Sequence, residues 1–303
     1  MQGIVDEDRG VRFILTGSQN FLLNERITQS LAGRVGIVTL WPLSLQELQD
    51  SIPNTRYEDW IFRGFYPELY SRGIPPELFY PGYVQPYLER DVRTLQRVGD
   101  LTQFNLFLKL CAGRVGQVLN VSALASDTGI APNTAKAWLS ILEASYVIFR
   151  MHPYHKNFNK RLVKSPKLYF SDTGLACHLL GIENASQLST HYAVGSLFEN
   201  LVVAECIKQR LAVGKREGVW YWRDNKGFEM DLIITDADKL RSYEIKAGRT
   251  PNPSYFRNLK WWHKMTGERE SAIIFGGDGT QTTPDGVLKS WKDLAGEFSY
   301  SAT

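Results

Sequence analysis

The chain has 303 residues, 43% hydrophobic and 22% charged, a balance that supports packed cores and excludes wholesale disorder, collagen and long coiled coils. Lys and Arg number 35 against 32 Asp and Glu, a formal charge of +3, so any nucleic-acid binding must come from local patches and not from the global field. At roughly 100–200 residues per domain, the length predicts about two domains and at most three.

Val11 to Leu15 reads as a short buried strand that opens into the polar turn Thr16-Gly17-Ser18-Gln19. Leu22, Leu23, Ile27 and Leu31 recur at helical spacing. Gly33 supplies a helix stop, and Gly36 to Leu40 reads as a second strand. One strand-helix-strand unit is too little for a domain and normally belongs to a larger parallel sheet.

The runs Phe13 to Ser18, Ser30 to Arg34, and Leu40-Trp41-Pro42-Leu43-Ser44 with Glu47 resemble the C-terminal part of an AAA+ ATPase domain. The similar proteins form a large bacterial and archaeal family of uncharacterised ATP-binding proteins. The resemblance implies that Thr16 and Ser18 face the γ-phosphate of ATP and that Arg34 is a sensor or finger arginine. A strand-end turn is the plainer reading of Thr16-Gly17-Ser18. No G-x-x-x-x-G-K-[ST] occurs in the chain: Gly214-Lys215-Arg216 lacks the upstream glycine, and Gly276 to Thr280 lacks the lysine. A phosphate cradle needs both. Residues 1–50 are therefore expected to be the C-terminal remnant of an AAA+ domain. ATP binding is expected only in a full-length family member, and this chain alone should have no ATPase activity.

Residues 51–175 read as a helical and winged-helix domain. Tyr83 to Val98 is predicted helical, with Tyr87, Leu88, Val92 and Leu95 on one face; its Tyr87, Arg90 and Asp91 match a signature of the family segment, and an intramolecular ion pair on a solvated helix is the plainer reading of them. Leu101 to Cys111 is a second amphipathic helix. Then Asn120 can cap one helix, Gly129 can make a turn, and Pro132 suits the first turn of the next helix. Ala135, Trp138, Leu139 and Leu142 give that helix a buried stripe. This is a helix-turn-helix pattern, and strands at Val147 to Met151 and Lys167 to Phe170 make it a winged helix. One reading places Asn133, Thr134 and Lys136 in a DNA major groove, with Lys160, Arg161, Lys164 and Lys167 of the wing on phosphates. The other makes the winged helix a docking module for another protein. The run from Lys160 to Leu175 also resembles the family's central motif.

Residues 176–303 carry the chemistry. Gly195 to Glu205 is a helix. Val219 to Arg223, Gly227 to Ile234, Ser242 to Gly248 and Ser271 to Phe275 are strands, and Tyr255 to Lys264 is helical. Period-two geometry puts Glu244 and Lys246 on one strand face, and Asp231 on a neighbouring strand can converge on Glu244. Carboxylates so placed can hold Mg²⁺, which stabilises charge on a phosphodiester, while Lys246 positions or activates water. With Glu199 on the preceding helix, this resembles the PD-(D/E)XK restriction-endonuclease-like core of the Holliday-junction-resolvase branch. The resemblance implies Asp231, Glu244 and Lys246 as catalytic residues and Glu199, Asp231 and Glu244 as metal ligands. The aspartate here follows Glu229-Met230, not proline. The plainer reading is an ion cluster in which Lys246 pairs with Glu244 or Asp231.

The fold class that follows is mixed α/β: a partial AAA+ remnant, a helical and winged-helix segment, and a restriction-endonuclease-like α/β domain. The function that follows is that of a truncated AAA+ family protein with a nuclease-like, nucleic-acid-linked C-terminal domain. The alternative is a non-enzymatic DNA-binding or protein-docking module with a degenerate nuclease fold. Cys111, Cys177 and Cys206 are scattered without metal spacing, which points to a reducing compartment. No apolar run approaches about 18 residues and no signal-peptide core is present, so a cytoplasmic protein without a membrane partner is expected.

Overall fold

The computed structural model describes residues 14, 36, 38–48, 56–84, 101–155, 163–215, 217–237 and 239–298. The strand and helix expected within residues 11–35, the part beyond Val84 of the helix expected from Tyr83 to Val98, and with them Thr16, Ser18, Arg34, Tyr87, Arg90, Asp91, Lys160 and Arg161, lie outside the described residues, and the described residues of the strand expected from Gly36 to Leu40 form no strand.

Short helices come first: α1 (Leu45–Leu48), α2 (Tyr57–Arg63), α3 (Pro67–Ser71) and α4 (Pro76–Tyr83). Three longer ones follow, α5 (Leu101–Ala112), α6 (Val121–Thr128) and α7 (Pro132–Ala144). Asn120 caps α6 by accepting from the Ala123 N–H at 3.0 Å. Gly129 ends it at φ 76°, a left-handed position that only glycine takes without strain. Pro132 then starts α7. Trp138 of α7 is buried, edge-on to Phe104 and Phe107 of α5 with centroids 5.2 and 5.3 Å away. These contacts fasten α7 to α5.

An antiparallel pair, β1 (Ile148–Met151) and β2 (Lys167–Phe170), follows α7 and pairs Ile148 with Phe170 and Met151 with Lys167. All four β2 residues are buried. Asp172 caps α8 (Thr173–Leu179), and the short α9 (Ala185–Leu188) leads to the 19-residue α10 (Val194–Ala212).

The rest is a six-stranded sheet. Its strands are β3 (Val219–Arg223), β4 (Glu229–Asp236), β5 (Lys239–Lys246), β6 (Ser271–Phe275), β7 (Gln281–Thr283) and β8 (Gly286–Ser290), in the spatial order β3-β4-β5-β6-β8-β7. β3, β4 and β5 form an antiparallel meander. β6 runs parallel to β5 and β8, and the β5–β6 crossover carries α11 (Arg257–Thr266). The sheet lies between two apolar layers. Leu232, Ile234, Tyr243, Ile245 and Ile274 join the core containing Leu197, Phe198 and Leu201 of α10. Trp222, Met230, Ile233, Ile273 and Phe275 join the core containing Leu259 and Trp262 of α11. A sheet buried on both faces needs this near-continuous run of apolar residues. The molecule is thus mixed α/β, with all three cysteines free and buried.

Candidate functional site

A cleft of about 550 Å³ opens where the end of the meander meets the preceding helical part. Each side chain in it is placed by a local feature of the sequence. Asp224 closes the β3–β4 hairpin by accepting from the N–H groups of Lys226 and Phe228 at 2.8 and 3.0 Å. The hairpin then carries an irregularity. Trp220 pairs with Ile233 and Trp222 with Met230, so the single residue Tyr221 stands opposite both Asp231 and Leu232. Such a bulge turns a side chain away from the regular alternation. The Asp231 carboxylate consequently reaches β5, where Oδ2 accepts from the Ile245 N–H at 2.8 Å. The β4–β5 ladder runs as far as Leu232 opposite Tyr243, so Asp231 and Glu244 are the next residues on either side. Asp231, Glu244, Lys246 and Glu199 all line the one cleft.

Lys246 spans the first two carboxylates, 2.6 Å from Glu244 Oε1 and 3.8 Å from Asp231 Oδ2. Asn258 of α11 also donates to Glu244 Oε1, at 2.8 Å. The other Glu244 oxygen, Oε2, is buried and has no hydrogen-bond partner among the described residues. Burial, reinforced by the charge of Asp231, pushes the Glu244 carboxyl up to about 8, against the pull of Lys246 and Asn258. Burial acts to lower the Lys246 ammonium, but Asp231, Glu244 and Glu199 together outweigh it and keep the group charged.

The opposite wall is built around Lys167. Sequence reasoning places this residue on an exposed wing against DNA phosphates, and the structure overturns that. Lys167 is 2% exposed, because β2 is buried on both faces, and a lysine there must find carboxylates. Its Nζ lies 2.8 Å from Glu199 Oε1 and 4.0 Å from Asp231 Oδ1, and also pairs with Glu229. Tyr169, two residues along the strand, donates to the same Glu199 oxygen. Burial raises the Glu199 carboxyl, with Lys167 pulling against it. Arg223 reaches Glu229 at 3.2 Å from the rim.

Glu229, Lys167, Tyr169, Asn258 and Arg223 are thus site residues that the Asp, Glu-x-Lys pattern does not name. Of the groups expected on nucleic acid, Asn133, Lys136 and Lys164 are exposed and Thr134 is half-buried; none of the four lines the cleft. Among the described residues no three His, Cys, Asp or Glu side chains form a ready-made metal cage. Here the two lysines stand between the carboxylates. An oxygen-seeking ion such as Mg²⁺ needs less than a cage, since one or two carboxylates with water and phosphate oxygens suffice. The unpartnered Glu244 Oε2 beside Asp231 fits that demand.

The sequence matches three family descriptions in tandem: an AAA domain over residues 1–49, domain of unknown function DUF8612 over 54–186, and domain of unknown function DUF4143 over 194–293. Uncharacterized proteins of Mycobacterium tuberculosis and Mycobacterium bovis are each 30% identical over 251 residues, which is 82% of this chain and 55% of theirs. An uncharacterized protein of Haemophilus influenzae is 24% identical over 248 residues, 77% of this chain and 58% of its own. The chain spans little more than half the length of these curated relatives. No solved structure matches it significantly. The chain is thus similar to part of an AAA domain at residues 1–49 and to two domains of unknown function after it. No helix among the described residues is long and apolar enough to cross a membrane.

Proposed function

We propose that this AAA-like family member acts on nucleic acid through a cation-dependent, nuclease-like cleft in its C-terminal domain. The observation that carries the reading is the buried, unpartnered Glu244 Oε2, next to Asp231 and in the same cleft as Lys246. The order helix, antiparallel meander, crossover helix, parallel strand, with Asp231 on the second strand and Glu244-x-Lys246 on the third, supports a PD-(D/E)XK-like assignment.

Asp231 and Glu244 would hold Mg²⁺, which when bound neutralises the charge that builds on a phosphodiester during hydrolysis. Lys246 Nζ carries N–H donors at the same place and can orient the attacking water or a phosphate oxygen. Its partial exposure, against the burial of Lys167, leaves it free to turn toward a substrate. Arg223 stands at the mouth, where a phosphate backbone would pass. In this reading the three helices and the β1–β2 ribbon act as a winged helix, and the exposed Asn133 and Lys136 hold duplex beside the cleft.

The test is cleavage of plasmid, linear and branched DNA by the whole chain with Mg²⁺ or Mn²⁺. Wild type is expected to cut, and Asp231→Asn, Glu244→Gln and Lys246→Ala to lose at least about 100-fold in rate. Equal cleavage by wild type and Asp231→Asn would reject the reading and identify a contaminant. A wild type inert on every substrate with both metals would also reject it.

A further inference from the structure

Two lysines enter the cleft, and they are not equivalent. Lys246 is 32% exposed at its side chain, and Lys167 is 3% exposed. Lys167 is also pinned through its backbone. It pairs with Met151 in the β1–β2 ladder, and β2 makes a further bridge to Val118 on its other side. Its ammonium sits 5.5 Å from the Tyr221 ring centre and is held between Glu199, Glu229 and Asp231. The Glu199 oxygen it touches is further bound by Tyr169. A buried cation held through its backbone therefore already sits against the carboxylates of this wall.

We propose that Lys167 is a positioning residue of the cleft, delivered by the neighbouring domain, which occupies the place of a second cation and confines the site to one divalent ion on the Asp231–Glu244 side. This deepens the reading of the cleft as a cation-dependent site and rests on it. An ion on the Glu199 side would lie against a fixed ammonium, a repulsion that the poorly screened interior does little to weaken. On the other side Glu244 Oε2 has no partner among the described residues, and Lys246, 32% exposed at its side chain, is not enclosed as Lys167 is. Two consequences follow. Glu199 does not ligate the ion, although the PD-(D/E)XK resemblance assigns it that part. The site is also complete only when β2 is docked on the sheet domain.

Mn²⁺ titration of the whole chain, by calorimetry and by electron paramagnetic resonance, tests this. Wild type is expected to bind one ion. Glu199→Gln is expected to bind one ion with affinity within about threefold of wild type, whereas loss of a ligand or of a group orienting one costs about 10–100-fold. Lys167→Arg should keep one ion, and Lys167→Met should admit a second, with spin coupling between the two. Two ions on wild type would overturn the proposal and leave the cation-dependent reading standing. So would a tenfold loss in Glu199→Gln, or a single ion on a folded Lys167→Met. If Lys167→Met does not fold by circular dichroism, Glu199→Gln and Lys167→Arg decide. No ion on wild type would remove both this proposal and the reading beneath it.

Discussion

Tyr80 donates a 2.7 Å hydrogen bond to Asp172 Oδ1 across 92 residues of sequence. The same carboxylate accepts from the N–H groups of Phe65 and Leu175, at 2.6 and 2.8 Å. One wholly buried side chain thus fastens the α2–α3 loop and α4 to the start of α8, immediately after the strand that carries Lys167. Burial raises the Asp172 carboxyl, while Tyr80 and the two N–H groups oppose the shift.

Removing that carboxylate strands the buried N–H groups of Phe65 and Leu175 and leaves the Tyr80 hydroxyl only the Arg63 carbonyl, 2.9 Å away. Asp172→Ala is expected to cost about 3 kcal/mol or more, and Asp172→Asn less because it keeps an acceptor. Gly174 tests the same junction from the other side, since a Cβ there would lie 2.1 Å from Tyr80 Oη. Gly174→Ala should cost about 1–3 kcal/mol through overpacking. Urea denaturation measures all three. Midpoints equal to wild type would show that the junction does not hold the fold together.

Much of this architecture is legible in the sequence where local rules decide it. Asn120, Gly129 and Pro132 announce a capped helix, a turn and a second helix, and the structure forms all three there. Period-two spacing puts Glu244 and Lys246 together, and they meet at 2.6 Å. Lys167 fails the local reading because it follows the basic residues Lys160, Arg161 and Lys164 and looks like one more surface cation. The available signal is the unbroken Leu168-Tyr169-Phe170 run, which marks a strand buried on both faces, where a lysine must be paired. The bulge at Asp231-Leu232 has no sequence mark, and without it the direction of the aspartate cannot be read. Glu229 shares the strand face of Asp231 by the same period-two rule, whereas Asn258 joins the site only through tertiary packing.

Nucleic-acid binding by α7 and the segment before β2 should be carried by the exposed Lys136 and Lys164 together with Lys160 and Arg161 of the same basic run, and not by the buried Lys167. Each phosphate neutralised contributes about −0.9 to the slope of log affinity against log salt. Changing Lys136, Lys160, Arg161 and Lys164 together to Ala should therefore weaken duplex binding and flatten the slope. Anisotropy at several salt concentrations reads both quantities. An unchanged slope and affinity would move the contact surface elsewhere.

His178 gives a pH signature independent of the cleft. Its ring is stacked on Tyr80, centroids 6.1 Å apart. Burial, aided by the Lys109 charge, lowers its pKa. A histidine depressed in the folded state stays neutral there while the unfolded chain takes up a proton. Its contribution to stability is therefore present above the ordinary histidine value of about 6.5 and is lost as pH falls below it. His263, lowered by burial and by Arg269, acts in the same direction. His178→Asn should lose less stability than wild type between pH 7.5 and 5.5 in urea titrations. An equal or larger loss in the variant would contradict this assignment.

The most direct measurement of the central claim is a crystal structure of the whole chain soaked in Mn²⁺, with anomalous scattering to locate the ion. One peak is expected, within ligand distance of Asp231 and of Glu244 Oε2, with Lys167 still seated between Glu199 and Glu229. A cleft without a peak at saturating Mn²⁺, or a peak that displaces Lys167 and is held by Glu199 and Glu229, would contradict the account.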